Sequence, residues 1–393
     1  MLKLAAAMGR LGTESAFEVL ARAKALEAQG RSIINLGIGQ PDFPTPEHIV
    51  EAAIKALKDG HHGYTPANGI PELRQAVAAD IDRRLAVAVD PDDVVIVPGG
   101  KVTMFFAVLC FGEPGAEIIY PNPGFPIYES IIAYSGATPV AVPLLERNGF
   151  AFSAEDVLSR ITPATRLIIL NTPANPTGAV TPRAEVDKLA AGLARHPQVA
   201  VMSDEIYSQM LFDGREHASL LHYPELRDRL ILLDGWSKTY AMTGWRLGYA
   251  VWPRELVESV TRLAINCHSC VNAPAQYAGI AALTGPQQPV RDMVASFEAR
   301  RRVVIEELNA LPGVSCVEPG GAFYAFPNIT GTGISAKELE TGLLEEAGVA
   351  SVAGTSFGAH GEGFLRISYA NSVDNIREAM GRIRAWLENR TAA

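Results

Sequence analysis

Residues 234–246 read DGWSKTYAMTGWR and directly follow the apolar run Leu230–Leu233. A short apolar run that ends at a polar residue and a glycine is typical of a strand buried in a sheet. Lys238 then lies just past the strand end beside Ser237, and Arg246 follows eight residues later. A lysine amine forms Schiff bases with carbonyl groups because its pKa falls in a desolvated or cationic site, and arginine binds phosphate through two charge-assisted hydrogen bonds. The residues fit a carbonyl cofactor that bears a phosphate, although alone they fit a surface lysine and a structural arginine better.

Three other polar segments follow apolar runs in the same way. DEIY at 204–207 follows one run, and NTPANPTG at 171–178 follows another. Both segments lie at the carboxyl ends of predicted strands, where open α/β sheets bind ligands. PGGK at 98–101 also follows a strand and opens a helix, so its backbone N–H groups are suited to receive phosphate.

Six short apolar runs between residues 94 and 251 alternate with helix signals. The runs are Val94–Val97, Glu117–Tyr120, Leu167–Leu170, Val199–Met202, Leu230–Leu233 and Leu247–Val251. They lack the polar alternation of half-exposed strands, so we expect helices on both faces of the sheet. The repeated order of strand, helix and strand predicts an α/β fold with a mainly parallel sheet.

Helix starts are marked by capping residues. Ser15 and Glu18 have the spacing of a capping box, and Thr45-Pro46 and Thr181-Pro182 place a hydroxyl before a proline at the first helical position. These signals predict helices at 15–30, 46–58 and 182–195. After residue 253 the pattern predicts helices at 254–266, 273–284, 287–310, 335–347 and 373–389, with strands at 322–326 and 363–369. This second part is α+β and smaller.

Composition limits the function classes. The 393 residues include 34 Lys and Arg against 43 Asp and Glu, a net charge of −9. An acidic chain without a long basic run argues against a nucleic-acid partner, and the longest apolar block, Val102–Phe111, is about half the ~20 residues of a membrane span. Four cysteines in this length indicate reduced thiols. We therefore expect a cytoplasmic protein that binds small molecules.

In their order along the chain, these segments resemble the pyridoxal-phosphate-dependent aminotransferases of fold type I, class I/II, in the aspartate aminotransferase group. The resemblance extends from GIGQPDF at residues 37–43 to FLRISY at residues 364–369. It implies a large cofactor-binding domain at 46–285, a small domain built from 1–45 and 286–393, and a homodimer with shared active sites. It also implies pyridoxal 5'-phosphate as cofactor and ping-pong transfer of an amino group between an L-amino acid and a 2-oxo acid, with aspartate as a candidate substrate.

The same resemblance implies a role for each site residue. Lys238 is the Schiff-base lysine and base, and Asp204 pairs with the protonated ring nitrogen, which keeps the ring an electron sink. Tyr207 and Asn175 donate to the ring 3-oxygen, and Phe125 stacks on the ring. The residues expected at the phosphate are Gly99, Gly100, Lys101, Ser237, Arg246 and, from the neighbouring subunit, Tyr64. Those expected at the substrate are Arg366, which binds its α-carboxylate, together with Gly39, Asn175 and Tyr324.

Two departures and several alternatives accompany this interpretation. Gly235 stands where many relatives carry a serine, and Trp236 is bulkier than the usual residue, which leaves details of the phosphate site open.

A β-lyase acting on a sulfur amino acid is distinguished by pyruvate and ammonia formed without a 2-oxo acid. A cofactor-sensing binding module lacks support because no basic winged-helix segment precedes residue 30. A nicotinamide oxidoreductase is weaker still, since no complete glycine fingerprint is present.

Overall fold

A seven-stranded sheet forms the centre of the computed structural model, which describes residues 2–391. The strands of all sheets within these residues are β1 (Ile34–Asn35), β2 (Val94–Val97), β3 (Glu117–Asn122), β4 (Thr138–Pro143), β5 (Thr165–Asn171), β6 (Ala200–Asp204), β7 (Leu230–Gly235), β8 (Gly248–Val251), β9 (Tyr324–Ala325), β10 (Val349–Ala350), β11 (Val352–Ala353) and β12 (Leu365–Ser368). The large sheet has the order β2-β8-β7-β6-β5-β3-β4. Only β8 runs antiparallel to its neighbours, β2 and β7. The expected mainly parallel α/β sheet is confirmed.

Helices cover both faces of this sheet. The α-helices of residues 2–391 are α1 (Ser15–Ala28), α2 (Glu47–Lys58), α3 (Pro71–Leu85), α4 (Lys101–Phe111), α5 (Ile127–Ser135), α6 (Ala154–Leu158), α7 (Arg183–Leu193), α8 (Trp236–Thr239), α9 (Arg254–His268), α10 (Ala273–Thr284), α11 (Gln288–Asn309), α12 (Ala336–Gly342) and α13 (Val373–Thr391), of which α11 to α13 pack away from this sheet. Val94 and Ile96 of β2 pack into one apolar cluster, whereas Val95 and Val97 pack into another. Because successive side chains of a strand point to opposite faces, each cluster is the core on one face.

A further apolar cluster lies around α11, α13 and a three-stranded antiparallel sheet of β9, β11 and β12. Phe297 of α11, Ile367 of β12 and Ile376 of α13 are buried in it. β1 pairs in parallel with β10, which brings the N-terminal segment beside the C-terminal part of the chain. The domain limits of 46–285 and of 1–45 with 286–393 stay a prediction.

One strand of the large sheet, β4, was not predicted. It lies at the sheet edge beside β3 and most of its residues are partly exposed. Pro139 and Pro143 interrupt its sequence, and proline is tolerated at an edge because one side of the strand has no ladder to complete. An exposed strand with two prolines has neither the apolar run nor the alternation from which the other strands were predicted.

The expected caps of three helices are wrong. α1 begins at Ser15 with Glu14 as its N-cap, and it ends at Ala28. α2 and α7 begin after Pro46 and Pro182, which are themselves the N-caps. Thr45 Oγ1 donates instead to the carbonyl oxygen of Ala241 at 2.8 Å. The Thr45 hydroxyl thus bonds to a residue distant in sequence and not to α2, which is why the local pattern predicted the wrong cap.

No helix within residues 2–391 has both the length and the apolar character that crossing a membrane requires.

Candidate active site

A cavity of about 480 Å³ opens at the carboxyl ends of β5, β6 and β7. Most of the residues predicted from the sequence line it. They are Gly39, Gly100, Lys101, Phe125, Asn175, Asp204, Tyr207, Ser237, Lys238, Arg246, Tyr324 and Arg366. Parallel strands that end at the same edge of the large sheet bring Asn175, Asp204 and Lys238 together, whereas Arg366 and Tyr324 come from β12 and β9 of the three-stranded sheet.

Lys238 lies in the one-turn helix α8, immediately after β7. Its Nζ donates to the carbonyl oxygen of Gly39 at 2.5 Å and lies 5.9 Å from the centroid of the Tyr207 ring. Burial, followed by the charge of Arg366, lowers the pKa of the Lys238 ammonium to about 8. A substantial fraction of this amine is therefore neutral near physiological pH, which suits a nucleophile and a base.

Asp204, the last residue of β6, is buried without a cationic partner. Tyr128 donates its hydroxyl to Oδ2 at 2.6 Å, and the backbone N–H of Ile206 donates to Oδ1 at 3.3 Å. Burial raises the pKa of the Asp204 carboxyl to about 6, although both hydrogen bonds lower it. No Lys, Arg or His among the described residues forms an ion pair with it. A buried carboxylate in this state fits a cationic ligand atom.

Arg366, on β12, is the corresponding buried cation. It is 2% exposed and donates to Asn175 Oδ1 at 3.0 Å and to the carbonyl oxygen of Gly37 at 2.5 Å. The rings of Tyr324 and Phe357 each lie 4.7 Å from its guanidinium carbon. Within residues 2–391 no carboxylate pairs with it, and its Nε has no hydrogen-bond partner. Burial lowers its pKa. A ligand carboxylate would neutralise its charge.

Tyr207 and Tyr324 share a hydrogen bond between their hydroxyls at 2.8 Å. Burial raises the pKa of Tyr207 well above its usual value, and the neighbouring Tyr324 raises it further. Asn175 is held by its backbone N–H, which donates to Asn171 Oδ1 at 2.9 Å. Tyr207 thus stays a neutral donor, and the Asn175 side chain is fixed between Arg366 and the strand end.

Arg246 lies at the other end of the cavity. Its Nη1 donates to the carbonyl oxygen of Thr243 at 2.7 Å, and in the described chain it forms no ion pair with a carboxylate. A Cβ at Gly99, whose φ is +92°, would collide with its Nη2. Gly99 is not among the lining residues but permits this close approach. α4 begins beside it with no side-chain cap on its first N–H groups. An unpaired guanidinium beside free backbone donors fits a phosphate.

The departures at Gly235 and Trp236 have structural causes. Gly235 pairs with Gly248 across β7 and β8, and a Cβ at Gly235 would come within 2.8 Å of the Gly248 Cα. Trp236 is fully buried, donates its Nε1 to the carbonyl oxygen of Gly279 at 3.1 Å and is absent from the cavity wall. Neither residue contributes a side chain to the cavity.

Tyr64 is the predicted residue that the structure does not bring to the cavity. Its side chain is 94% exposed. Phe125 does line the cavity, and its ring is T-shaped to that of Tyr128, with 5.8 Å between centroids. The sequence analysis missed Tyr128, although it lies three residues after Phe125, and it missed Glu14 and Phe17, for which no local signal exists.

The sequence profile of the family "Aminotransferase class I and II" matches residues 31–383. The chain belongs to this family. It is 38% identical over 395 residues to an aspartate aminotransferase of Geobacillus stearothermophilus, covering 99% of this chain and 100% of the relative. It is 39% identical over 367 residues to an aromatic-amino-acid aminotransferase of Thermococcus litoralis, covering 92% and 94%. The crystal structure of an aspartate aminotransferase of Rhizobium meliloti superimposes with a TM-score of 0.94 at 35% identity, covering 99% of each chain.

As a class I/II aminotransferase the chain is a fold type I enzyme that depends on pyridoxal 5'-phosphate. The cavity fits this cofactor in its donor set, because within residues 2–391 no cation pairs with Asp204 and no carboxylate pairs with Arg246. The named relatives are aminotransferases, which leaves the β-lyase and the cofactor-sensing module without support. Because these relatives are named for different amino acids, they do not decide which amino acid this enzyme uses.

Proposed function

We propose that this aminotransferase acts on aspartate and that Lys238 is both its covalent anchor for the cofactor and its base. The supporting observation is that Lys238, Asp204 and Arg366 line one cavity, where neither Asp204 nor Arg366 has an oppositely charged partner. When bound, pyridoxal phosphate withdraws electrons from the bonds of the substrate α-carbon. The protein's part is to bind the substrate, orient it and move its α-proton.

Each residue has one task in this proposal. Arg366 binds the α-carboxylate and so orients the α-carbon toward Lys238. Lys238 Nζ accepts the α-proton in its neutral form, which a pKa of about 8 makes available, and returns it. Asp204 holds negative charge beside the ring nitrogen. Asn175 uses its Oδ1 for Arg366, which leaves its NH₂ group to donate, with Tyr207, to the ring 3-oxygen.

The phosphate site is proposed to extend across a homodimer. Arg246, Ser237 and the backbone from Gly99 to Lys101 form one side of it, with Phe125 on the ring face. Tyr64 from the partner subunit completes it, since a tyrosine that is 94% exposed in one chain is free to reach a second. A cytoplasmic location is part of the same proposal, supported by four free cysteines.

Aspartate is proposed because a cation suited to its side-chain carboxylate lies in the cavity wall. Lys101 lines the cavity on the first turn of α4, and its side chain is 39% exposed. Gly39 and Tyr324 also line the cavity, near Lys238 and Arg366 respectively. Several relatives, among them the one from Geobacillus stearothermophilus, are named aspartate aminotransferases.

The proposal is tested with protein that is loaded with pyridoxal phosphate and given L-aspartate and 2-oxoglutarate. We expect oxaloacetate and glutamate in equal amounts, and borohydride reduction should leave the cofactor on the peptide that contains Lys238. Pyruvate and ammonia formed without the 2-oxo acid, or a label on another lysine, would contradict it.

A further inference from the structure

Lys101, the cation proposed for an acidic side chain, already has an anionic partner. Its Nζ lies 2.7 Å from Glu14 Oε2, and the side chains of Lys101 and Glu14 are 39% and 19% exposed. Both residues line the cavity, with Phe17 beside them. The Nζ of Lys101 also lies 5.9 Å from the Phe17 ring and 5.3 Å from the Phe125 ring. The ion pair therefore forms part of the wall that a substrate side chain would meet.

The side chain of Glu14 does not cap the helix that follows it. It is the N-cap of α1, yet its side chain accepts no hydrogen bond from the N–H groups of that helix. The side chain extends instead to Lys101, which is 87 residues away in sequence. A carboxylate turned away from its own helix and toward the cavity is not needed for the helix cap.

The charge of Glu14 reaches the reaction site. The pKa of Lys238 is lowered by burial and by Arg366, and Glu14 acts in the opposite direction. The pKa of Arg366 is lowered by burial, and Glu14 again opposes the shift. Among the described residues that line the cavity, Glu14 and Asp204 are the carboxylates, and Asp204 lies on the β6 side against Tyr128. Glu14 is thus the anion that a substrate carboxylate would face at Lys101.

We infer that Glu14 is a specificity-determining residue, which competes with the side-chain carboxylate of a dicarboxylic amino acid for Lys101. The inference rests on the proposed function, in which Lys101 receives that carboxylate. An acidic substrate has to displace Glu14 from Lys101, whereas a neutral amino acid leaves the ion pair intact. Glu14 therefore weakens the preference for aspartate and allows neutral amino acids to be used alongside it.

The test compares L-aspartate with L-alanine in single half-reactions of the cofactor-loaded enzyme and its Glu14→Gln variant. Glutamine keeps the shape of the side chain and removes its charge. A hydrogen bond to a charged group, reduced because the pair is partly exposed, corresponds to about a tenfold effect. We expect the ratio of kcat/KM for aspartate over alanine to rise by about that factor, because the effect of the lost charge on Lys238 and Arg366 is common to both amino acids and cancels in the ratio. The inhibition constant of succinate, a dicarboxylate that cannot react, should fall in parallel.

Three further variants make the result specific. Glu18→Gln removes the same charge from an exposed position of α1 outside the cavity and should leave the ratio unchanged. Glu14→Gln in a Lys101→Met background should also leave it unchanged, because the contested cation is absent. Glu14→Ser supplies a favourable N-cap residue and should reproduce the gain if the glutamine variant is poorly folded.

The outcomes separate this inference from the proposed function. If the parent enzyme transfers no amino group from either amino acid, the proposed function is wrong. If the parent is active but both Glu14 variants leave the ratio unchanged, lower it, or change aspartate and alanine equally, the competition at Lys101 is wrong and the proposed function stands.

Discussion

The cavity has two walls of different origin. The wall at the strand ends carries Asp204, which lies in the ladder between β6 and β7, and Lys238, which lies on α8 directly after β7; burial shifts the pKa of both. A second wall carries Glu14 and Phe17 from the segment before β1, and these side chains are partly exposed. Electrostatic interactions are stronger where water is excluded. In the proposed function, the strand-end wall therefore sets the reaction and the N-terminal wall adjusts which substrate is taken.

The largest expected effect comes from removing the amine of the strand-end wall. Lys238→Ala should lower the rate of the half-reaction by about 10³-fold or more, because the base is lost. Rapid mixing with L-aspartate measures this, and unchanged melting of the variant controls for folding. A rate close to that of the parent would show that the α-proton is moved by another group and that the strand-end wall does not set the reaction.

Asp204→Asn should lower turnover by about 10²-fold. It would remove the anion proposed to pair with the ring nitrogen of the bound cofactor, and removing one partner of a buried charge pair costs about 3 kcal/mol or more. Cofactor should still be retained through its phosphate. Asp228→Asn, at an exposed position, is the matched control and should leave turnover unchanged. Near-normal α-proton removal in Asp204→Asn would make Asp204 a structural residue.

The same variant has a stability effect whose sign follows from its pKa. Burial raises the pKa of Asp204 from 3.8 to about 6, so the folded protein binds more protons than the unfolded chain and loses stability as pH rises between these values. The difference corresponds to about 3 kcal/mol. Cofactor-free Asp204→Asn should thus melt above the parent at a pH of about 8 and equally near a pH of about 4. Equal melting at both values would contradict the raised pKa.

Arg366→Ala should lower kcat/KM for amino acids by about 10- to 10³-fold, because a charge-assisted hydrogen bond to the carboxylate is lost. Simple amines without a carboxylate should lose little. The informative quantity is the ratio of amino-acid to amine rates in variant and parent. An equal loss for both, or one that follows a lowered melting temperature, would place Arg366 among the structural residues.

Tyr128→Phe is expected to have the smallest effect, about tenfold on turnover, since it removes one hydrogen bond to the Asp204 carboxylate. That hydrogen bond lowers the pKa of Asp204, so the variant should raise it and move the acid limb of the rate profile to higher pH. Tyr134→Phe, on the same helix outside the cavity, is the control. An unmoved acid limb would show that Tyr128 does not act through Asp204.

The strand-end wall could be predicted from sequence and the N-terminal wall could not. Asp204 and Lys238 follow buried apolar runs directly, so their place at the sheet edge is a local consequence of chain order. Glu14 of the N-terminal wall contacts Lys101 across 87 residues, and nothing in the neighbouring sequence indicates such a contact. Tyr128, which contacts Asp204 across 76 residues, is the part of the strand-end wall that was missed for the same reason. The cap expected at Thr45 failed for the same reason, since its hydroxyl donates to the carbonyl oxygen of Ala241.

The close approach of β7 and β8 has a consequence for how this enzyme is able to change over generations. A Cβ at Gly248 would come within 2.9 Å of the Gly99 carbonyl carbon and closer still to Gly100 N, and one at Gly235 would meet the Gly248 Cα. A side chain at Gly235 or Gly248 would therefore require the neighbouring backbone, including the loop beside Arg246, to move. Residues 14 and 17 have no such restriction. New amino-acid preferences are therefore more accessible by mutation of the N-terminal segment than by mutation of Gly235 or Gly248.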